Sequence, residues 1–391
     1  MKPSDRTQDT SVEPGTSPVS VRSSTSEVWG FSHRNATKVS IIVACRNEAA
    51  FIADCLESIL ANDYPKDLVE VLVVDGMSDD GTRRIVERYC DRFAFIKLLD
   101  NPRRIASAAF NLGVQKSSGD RILIMGAHNA YAKDYISRCV RASNESGADN
   151  VGGVIRVVPR TSGLWSRALA LTLSHRFGVG NSHFRCTAGN EVAQRRLVDT
   201  VFGGCYRREA FERVGPFNEK LVFNQDIDFN LRLRRAGGRI LLDPSIVSEY
   251  RARSDVKSFW KHNFRNGSWV ILSGLFSEGI PFSGRHLVPL LFVLSSIGSA
   301  AVGLFVPSFF WMSLGVLCSY LGAVFAVSCV IAWRQHDFKL LAVMPVAFAS
   351  LHVSYGLGSF AAVIKTLTGS AAGRPEAHQW QPRVAGGDRL R

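Results

Sequence analysis

From Leu287 to Trp333, and again from Leu340 to Ile364, the chain contains no Asp, Glu, Lys or Arg. A helix that crosses the hydrocarbon of a bilayer needs about 20 apolar residues. The first stretch is long enough for two such helices joined near Pro307, and the second for one more. A very apolar soluble core is the competing reading, but apolar runs of this length favour membrane helices. Arg and Lys crowd residues Arg232 to Arg285, just ahead of the first run, and the formal charge is +13. Basic flanks collect on the cytoplasmic side of membrane helices and face anionic headgroups. The same charge would suit a nucleic acid. No helix-turn-helix, zinc-finger or RNA-binding motif accompanies it, so no nucleic-acid partner is expected.

The chain divides by composition. Met1–Thr37 is rich in Ser, Thr and Pro, lacks the apolar core of a signal peptide, and reads as a disordered tail. Residues 38–266 form a domain that alternates strand and helix patterns. Residues 267–286 contain "SWVILSGLF", apolar but too short to span, and read as an interfacial link. Residues 287–365 are the membrane region of about three helices, and 366–391 a polar tail. An odd number of crossings would put the chain end opposite the domain. That end carries Lys365, Arg374, Arg383, Arg389 and Arg391. Either the third segment re-enters, or the positive-inside rule is broken here. The eight cysteines form no CxxC pair, which suits buried thiols in a reducing compartment better than a disulfide framework or a zinc site.

In the domain, "VSIIVAC" (39–45) is a continuous apolar run, the pattern of a strand buried on both faces, and "VEVLVVD" (69–75), "FAFIKLL" (93–99) and "RILIM" (121–125) read as a second, third and fourth strand. Helical spacing occupies 48–61, 79–90 and 105–117. This alternation predicts an α/β fold with a mostly parallel sheet and helices on both faces. Ligands bind such sheets at the carboxyl ends of the strands. Those ends carry Arg46, Asn47 and Glu48, then Asp75, then Gly126-Ala127-His128-Asn129. A carboxylate at a strand end can accept hydrogen bonds from a base or a ribose. Residues 75–81 also read as a plain Asp-Ser-Gly turn capping a helix, and both readings stand.

Five segments, "VSIIVACRNEAAFIADCLESIL", "VEVLVVDGMSDDGT", "NPRRIASAAFNLGVQKSSGD", "FGGCYRREAFERVGPFNE" and "NQDIDFNLRLRRAG", resemble family 2 glycosyltransferases in that order and spacing. "YRARS" and "FWKHNFRNGSW" are most similar to bacterial succinoglycan-type exopolysaccharide glycosyltransferases. The resemblance implies a GT-A fold, a Rossmann-like nucleotide-diphospho-sugar transferase domain, followed by the transmembrane helices. It implies an inverting transfer of a hexose, with glucose the expected one, from a UDP-sugar to a lipid-linked saccharide in exopolysaccharide synthesis. The domain is then cytoplasmic, on a multi-pass protein of the inner (plasma) membrane, alongside other polysaccharide assembly proteins.

By the same resemblance, Arg46, Asn47, Glu48 and Asp75 cradle the donor nucleoside, although the family often has a second Asp where Gly76 stands. Arg103 and Arg104 lie near the diphosphate, where an arginine fork matches phosphate oxygens; a solvated basic loop explains them equally. A single displacement needs a carboxylate on the acceptor side, and Asp226 of "NQDIDF" is the expected base. Gln225 replaces the family's first acid, and Asp228 lies on the acceptor side or orients its helix. Gly203 and Gly204 shape the acceptor side, where glycine permits close backbone approach. "HNFRNG" resembles the QxxRW element, with Arg265 kept for the leaving diphosphate. Trp260 packs the acceptor or anchors the chain at the interface.

The fourth strand in this family ends in a DxD-like motif for Mn²⁺ or Mg²⁺. Here Gly126 stands where the first Asp belongs, and His128 remains. Three outcomes stay open. His128 and the diphosphate hold the ion, with Asn129 adding an oxygen. Arg103, Arg104 and Arg265 replace its charge. Or the protein is a catalytically impaired nucleotide-sugar-binding subunit of an assembly complex. A transporter is disfavoured by spans without intramembrane charge.

Overall fold

A computed structural model of the chain describes residues 37–180, 182–185, 194–279 and 283–369. The expected tails, apart from Thr37 and the residues up to 369, lie outside the described residues. The core is one mixed sheet in the order β3-β2-β1-β4-β8-β6-β9-β5, with β7 (Arg196–Leu197) paired to β9. Four parallel strands, β3 (Ile96–Asp100), β2 (Val69–Asp75), β1 (Val39–Cys45) and β4 (Arg121–Gly126), form one half. Strand β8 (Phe202–Arg207) lies antiparallel between β4 and β6 (Asn150–Pro159). The long β9 (Ile240–Ala252) runs parallel to β6 and pairs with β5 (Asn129–Tyr131).

Alternation along β1 builds two cores, because successive side chains of a strand point to opposite faces. Ile41 and Val43 are fully buried on the face covered by α1 (Ile52–Leu60), α2 (Thr82–Arg92) and α4 (Tyr135–Ser146). Ile42 points the other way, toward α3 (Ala106–Lys116) and α8 (Gln225–Arg235). Burying each such side chain is worth about 1.5–3 kcal/mol. Helix α1 contributes Ile52, Cys55, Leu56 and Ile59, a stripe at helical spacing. Helices α5 (Leu164–Ser174), α6 (Arg176–Val179) and α7 (Arg208–Val214) complete the soluble part.

Helix α9 (Val256–Phe276) is one continuous helix, and it runs across the expected boundary between Asn266 and Gly267. Its apolar second half, expected as an interfacial link, extends the domain's last helix. Three further helices are long and apolar enough to cross a membrane: α10 (Val288–Gly303, with the turn that precedes it), α11 (Ser308–Arg334) and α12 (Leu340–Leu367). They differ in cover. Only 17% of the most apolar window of α11 is buried by protein, against 50% for α12. The difference arises because α12 packs on α5 and α9. Its approach begins at Asp337, paired with Arg167 of α5 at 2.6 Å. Phe348 and His352 then pack edge-on against Phe177 of α6. Farther on, Ser268 Oγ of α9 donates to the Gly358 carbonyl at 2.9 Å and Ser359 Oγ donates to the Gly267 carbonyl at 3.0 Å.

Candidate active site

The ends of β1 and β2 are tied into one turn. Asp75 is fully buried, and its carboxylate accepts from the Ser78 amide at 2.9 Å, the Ser78 hydroxyl, and Arg83 Nη1 at 3.0 Å. Burial alone would raise its pKa, but the Ser78 bonds and Arg83 outweigh burial and hold the carboxyl below the usual range. Asn47 takes a left-handed conformation (φ 57°) that aims its amide at Ser78 Oγ, 2.9 Å away, while its side-chain oxygen accepts from the Asp79 amide. The Glu48 amide donates to Thr82 Oγ1 at 2.8 Å. Arg46 lies across Gly76, where a Cβ would stand 3.1 Å from the arginine stem. The residue that replaces the family's second Asp is thus part of how Arg46 is seated.

A cavity of about 620 Å³ opens between the domain and the membrane helices, and none of Arg46, Asn47, Glu48 or Asp75 is among the residues that line it. Asp226 lines it from the first turn of α8, behind Asn224 in a left-handed turn (φ 62°). The Asp226 carboxyl forms no ion pair among the described residues, and burial raises its pKa above the ordinary carboxylate value of 3.8. Gln225 Oε1, beside it, is buried with no hydrogen-bond partner among the described residues.

Cations gather on the same wall. Arg185, Arg253 and His262 line the cavity, and Arg253 Nη2 lies 3.3 Å from His262 Nδ1. The His262 imidazole is pushed down to about 3, first by burial and then by the charges of Arg253, Arg265, Arg185 and His128. Those four groups therefore act on one point. Arg265 is placed by stacking over Phe223 at 4.5 Å, and Arg185 over Tyr250 at 5.6 Å. A neutral imidazole among cations makes a pocket suited to a multiply charged anion.

Several expected residues sit elsewhere. Arg103 forms an ion pair with Glu219, a partner 116 residues away in sequence, and Arg104 lies exposed in a left-handed turn (φ 58°). Asp228 is buried on the far side of α8 and pairs with Arg232 at 3.0 Å; Arg232 in turn donates to the Val214 and Pro216 carbonyls. Its carboxylate braces the helix and does not line the cavity. Gly203 and Gly204 are in positive-φ conformations, but the close approach they permit is to the Ile124 carbonyl and to Asn150 and the Tyr206 ring, within the sheet. Trp260 projects from an exposed face of α9, while its neighbours Phe259, His262, Asn263 and Asn266 line the cavity. Sequence reasoning missed Arg185 and Arg253. The signal for Arg253 was present in "YRARS".

The strand ends do not fit a protein-held divalent ion. Gly126 has no side chain to offer, and His128 Nδ1 lies 3.4 Å from Glu48 Oε1. Among the described residues no group of three or more His, Cys, Asp or Glu is placed to hold a metal. One imidazole and one carboxylate make a poor shell for a hard cation that prefers oxygen ligands. The Asn129 amide, 2% exposed, has neither atom hydrogen-bonded among the described residues, and Nδ2 lies 3.2 Å from where a Cβ at 126 would stand.

Residues 40–215 match the glycosyl transferase family 2 profile. The dolichyl N-acetyl-α-D-glucosaminyl phosphate 3-β-D-2,3-diacetamido-2,3-dideoxy-β-D-glucuronosyltransferase of Methanococcus voltae is 30% identical over 66% of this chain and 80% of its own length. The succinoglycan biosynthesis protein ExoA of Rhizobium meliloti (strain 1021) is 29% identical over 78% of this chain and 96% of its own. Among solved structures, a mannosyltransferase from Pyrobaculum calidifontis in complex with GDP-Man and Mn²⁺ superimposes with a TM-score of 0.51 at 19% identity, covering 84% of this chain and 88% of that one. The last likeness shows a GT-A-type α/β fold.

Proposed function

The chain belongs to glycosyl transferase family 2, and from that premise we propose that it is a membrane-anchored inverting enzyme that moves a hexose, glucose in the first instance, from a UDP-sugar to a lipid-linked saccharide, with Asp226 as the general base. One observation carries this reading. Asp226, the one carboxylate among the described residues with a raised pKa and no ion pair, lines the same cavity as Arg185, Arg253 and His262. A base and an anion-binding wall face each other across a space large enough for a sugar.

The chemistry follows from that arrangement. The acceptor hydroxyl attacks the anomeric carbon as the Asp226 carboxylate takes its proton. The bond from the anomeric carbon to the diphosphate oxygen breaks in the same step, so the configuration inverts. Negative charge develops on the departing diphosphate, and Arg253 and Arg185, which line the cavity, would stabilise it, with Arg265 held over Phe223 outside the cavity lining. Arg46, Asn47, Glu48 and Asp75 form the nucleoside end; with Asp75 already bonded to Ser78 and Arg83, the nucleoside meets a preset turn. The Methanococcus relative's name specifies a dolichyl-linked sugar phosphate, and ExoA's specifies succinoglycan biosynthesis. The first name supports a lipid-linked acceptor, and both support a role in glycan assembly. Catalysis on the cytoplasmic face agrees with the basic stretch ahead of α10.

The test is UDP release from UDP-glucose by the full-length protein in detergent with a bacterial lipid extract, beside Asp226→Asn. Release that is lost in the variant supports the reading. UDP binding without release, for every UDP-sugar tried, would instead make Gly126 the mark of a nucleotide-sugar-binding subunit.

A further inference from the structure

One turn along α8 from Asp226 lies a polar cluster that the transfer chemistry leaves unused. Asn230 stands four residues after Asp226, so the two side chains leave the helix on one face. Asn230 Nδ2 donates to Thr200 Oγ1 at 2.9 Å, and Thr200 lines the cavity with Asp226. Asn150 Nδ2 of β6 donates to Asn230 Oδ1 at 3.0 Å, which leaves Asn150 Oδ1 on the side of β8. There a Cβ on Gly204 would stand 2.6 Å from Asn150 Oδ1 and 3.0 Å from Tyr206 Cζ. The amide oxygen and the phenol thus meet over a residue with φ 92°, where glycine is needed. Asn150, Asn230 and Tyr206 are fully buried. Asn150 Oδ1 and Tyr206 Oη nevertheless have no hydrogen-bond partner among the described residues. Buried polar groups are almost always paired, so two orphans at one corner call for a reason. The Tyr206 ring is held edge-on against Phe217 and Phe229, which confines its hydroxyl. Burial, and after it the charge of Asp226, pushes that hydroxyl above its ordinary range.

We propose that Tyr206 is the positioning residue of the base: its hydroxyl donates toward the ionised Asp226 carboxylate, across at most one water, and turns to Asn150 Oδ1 once that carboxyl has taken the acceptor's proton. A phenol has one proton to donate and here two acceptors to choose between. While Asp226 is charged, it is the stronger acceptor. When Asp226 is neutral, the Asn150 oxygen is the better one. The hydroxyl rotates about a single bond and keeps its own proton; the proton from the acceptor stays on Asp226. Asn150 is held ready for this exchange, because its amide nitrogen is already committed to Asn230. The proposal rests on the reading of Asp226 as the base and adds the group that orients it.

The experiment compares the full-length wild type in detergent with Tyr206→Phe, which keeps the ring and removes the donor, and Asn150→Ala, which removes the competing acceptor. Arg185, Arg253 and His262 line the cavity with Asp226 in all three proteins, so the comparison isolates the hydroxyl. Tyr206→Phe is expected to lower kcat about tenfold, with KM for the UDP-sugar little changed. It should also move the acid limb of kcat/KM to higher pH, because the carboxylate has lost a donor. Asn150→Ala should move that limb to lower pH, because Tyr206 then donates to Asp226 alone. Limbs that stay in place, or that move in the same direction, would overturn the proposal. Thermal melting gives a readout that needs no turnover. The gain from Asp226→Asn near neutral pH should be larger in the Tyr206→Phe background than with Tyr206 in place. Equal gains in the two backgrounds would overturn the pairing even where transfer is normal. A larger gain in a protein that turns over no UDP-sugar would remove Asp226 as a base and leave its contact with Tyr206 standing.

Discussion

Gly267 of α9 lies directly against the carbonyl of Tyr355 on α12: a Cβ at position 267 would stand 2.0 Å from that oxygen. The contact is reciprocal, because a Cβ on Gly358 would stand 1.9 Å from the Phe264 carbonyl. Glycine at such crossings lets two helix backbones touch. His262, Asn263 and Asn266 lie on α9 within two turns of Gly267, so the cationic wall of the cavity is registered to a membrane helix.

Gly267→Val should therefore separate α9 from α12. Overpacking of this kind costs about 1–3 kcal/mol, and it moves His262 as well. Lower thermal stability together with lost turnover is expected. Gly315→Val on α11, where a Cβ meets nothing within 4 Å, is the control. Equal behaviour of the two variants would refute the registration.

Asp226→Asn should abolish transfer and stabilise the protein. The folded carboxyl has a raised pKa, so ionising it costs folding free energy above the ordinary value of 3.8. That cost is absent below the unfolded value, grows as pH rises through the folded value, and is full above it. The melting-temperature gain of the variant should be clear near neutral pH and vanish in acid. For the wild type, the acid limb of kcat/KM should lie above the usual carboxylate range. General-base loss amounts to about 10² to 10⁴ in rate.

The donor set at the strand ends gives a third expectation. Arg253→Ala should lower kcat roughly a hundredfold or more, while His128→Ala should cost much less. Turnover measured in chelator and in added Mn²⁺ checks the same point in the wild type: the rates are expected to differ little. A large Mn²⁺ stimulation lost in His128→Ala would reverse the assignment.

Gly126→Asp offers the converse. Its new carboxyl would stand beside Asn129 Nδ2, which is buried without a partner among the described residues, so folding should survive. Mn²⁺ stimulation of UDP release should appear in the variant, because a carboxylate now joins His128 and Glu48. Titrating Mn²⁺ against both proteins measures it.

Much of the fold was legible in the chain. Strands 39–45 and 69–75 matched their expected ranges residue for residue, since strands buried on both faces are dominated by apolar residues. The third began at Ile96 and not Phe93, because Phe93 terminates α2. The site was less legible. Arg103 looked like a phosphate ligand until its partner Glu219 could be seen, and no local pattern foretells a pairing over that separation. Asp226 and Asp228 look alike in sequence. The helix decides between them, turning one toward the cavity and the other to Arg232. The cavity itself draws on residues from Leu173 to Tyr355, brought together only by packing of α9 and α12.

The way α12 is fastened bears on the parity of membrane crossings. At about 42 Å it is long enough to traverse a bilayer. Yet its approach is pinned to α5 through Arg167 and Asp337, and its later turns lie antiparallel along α9, the helix that leaves the sheet at Asp255. The expected arrangement is that α10 and α11 form an out-and-back pair and that α12 begins and ends on the domain's side of a membrane. A cysteine at Thr368 should be labelled by an impermeant maleimide from the same face as one at Asp91, and labelling from opposite faces would restore a third crossing. An even number of crossings would put Lys365 on the same side as the basic stretch from Arg232 to Arg285, as the charge rule requires.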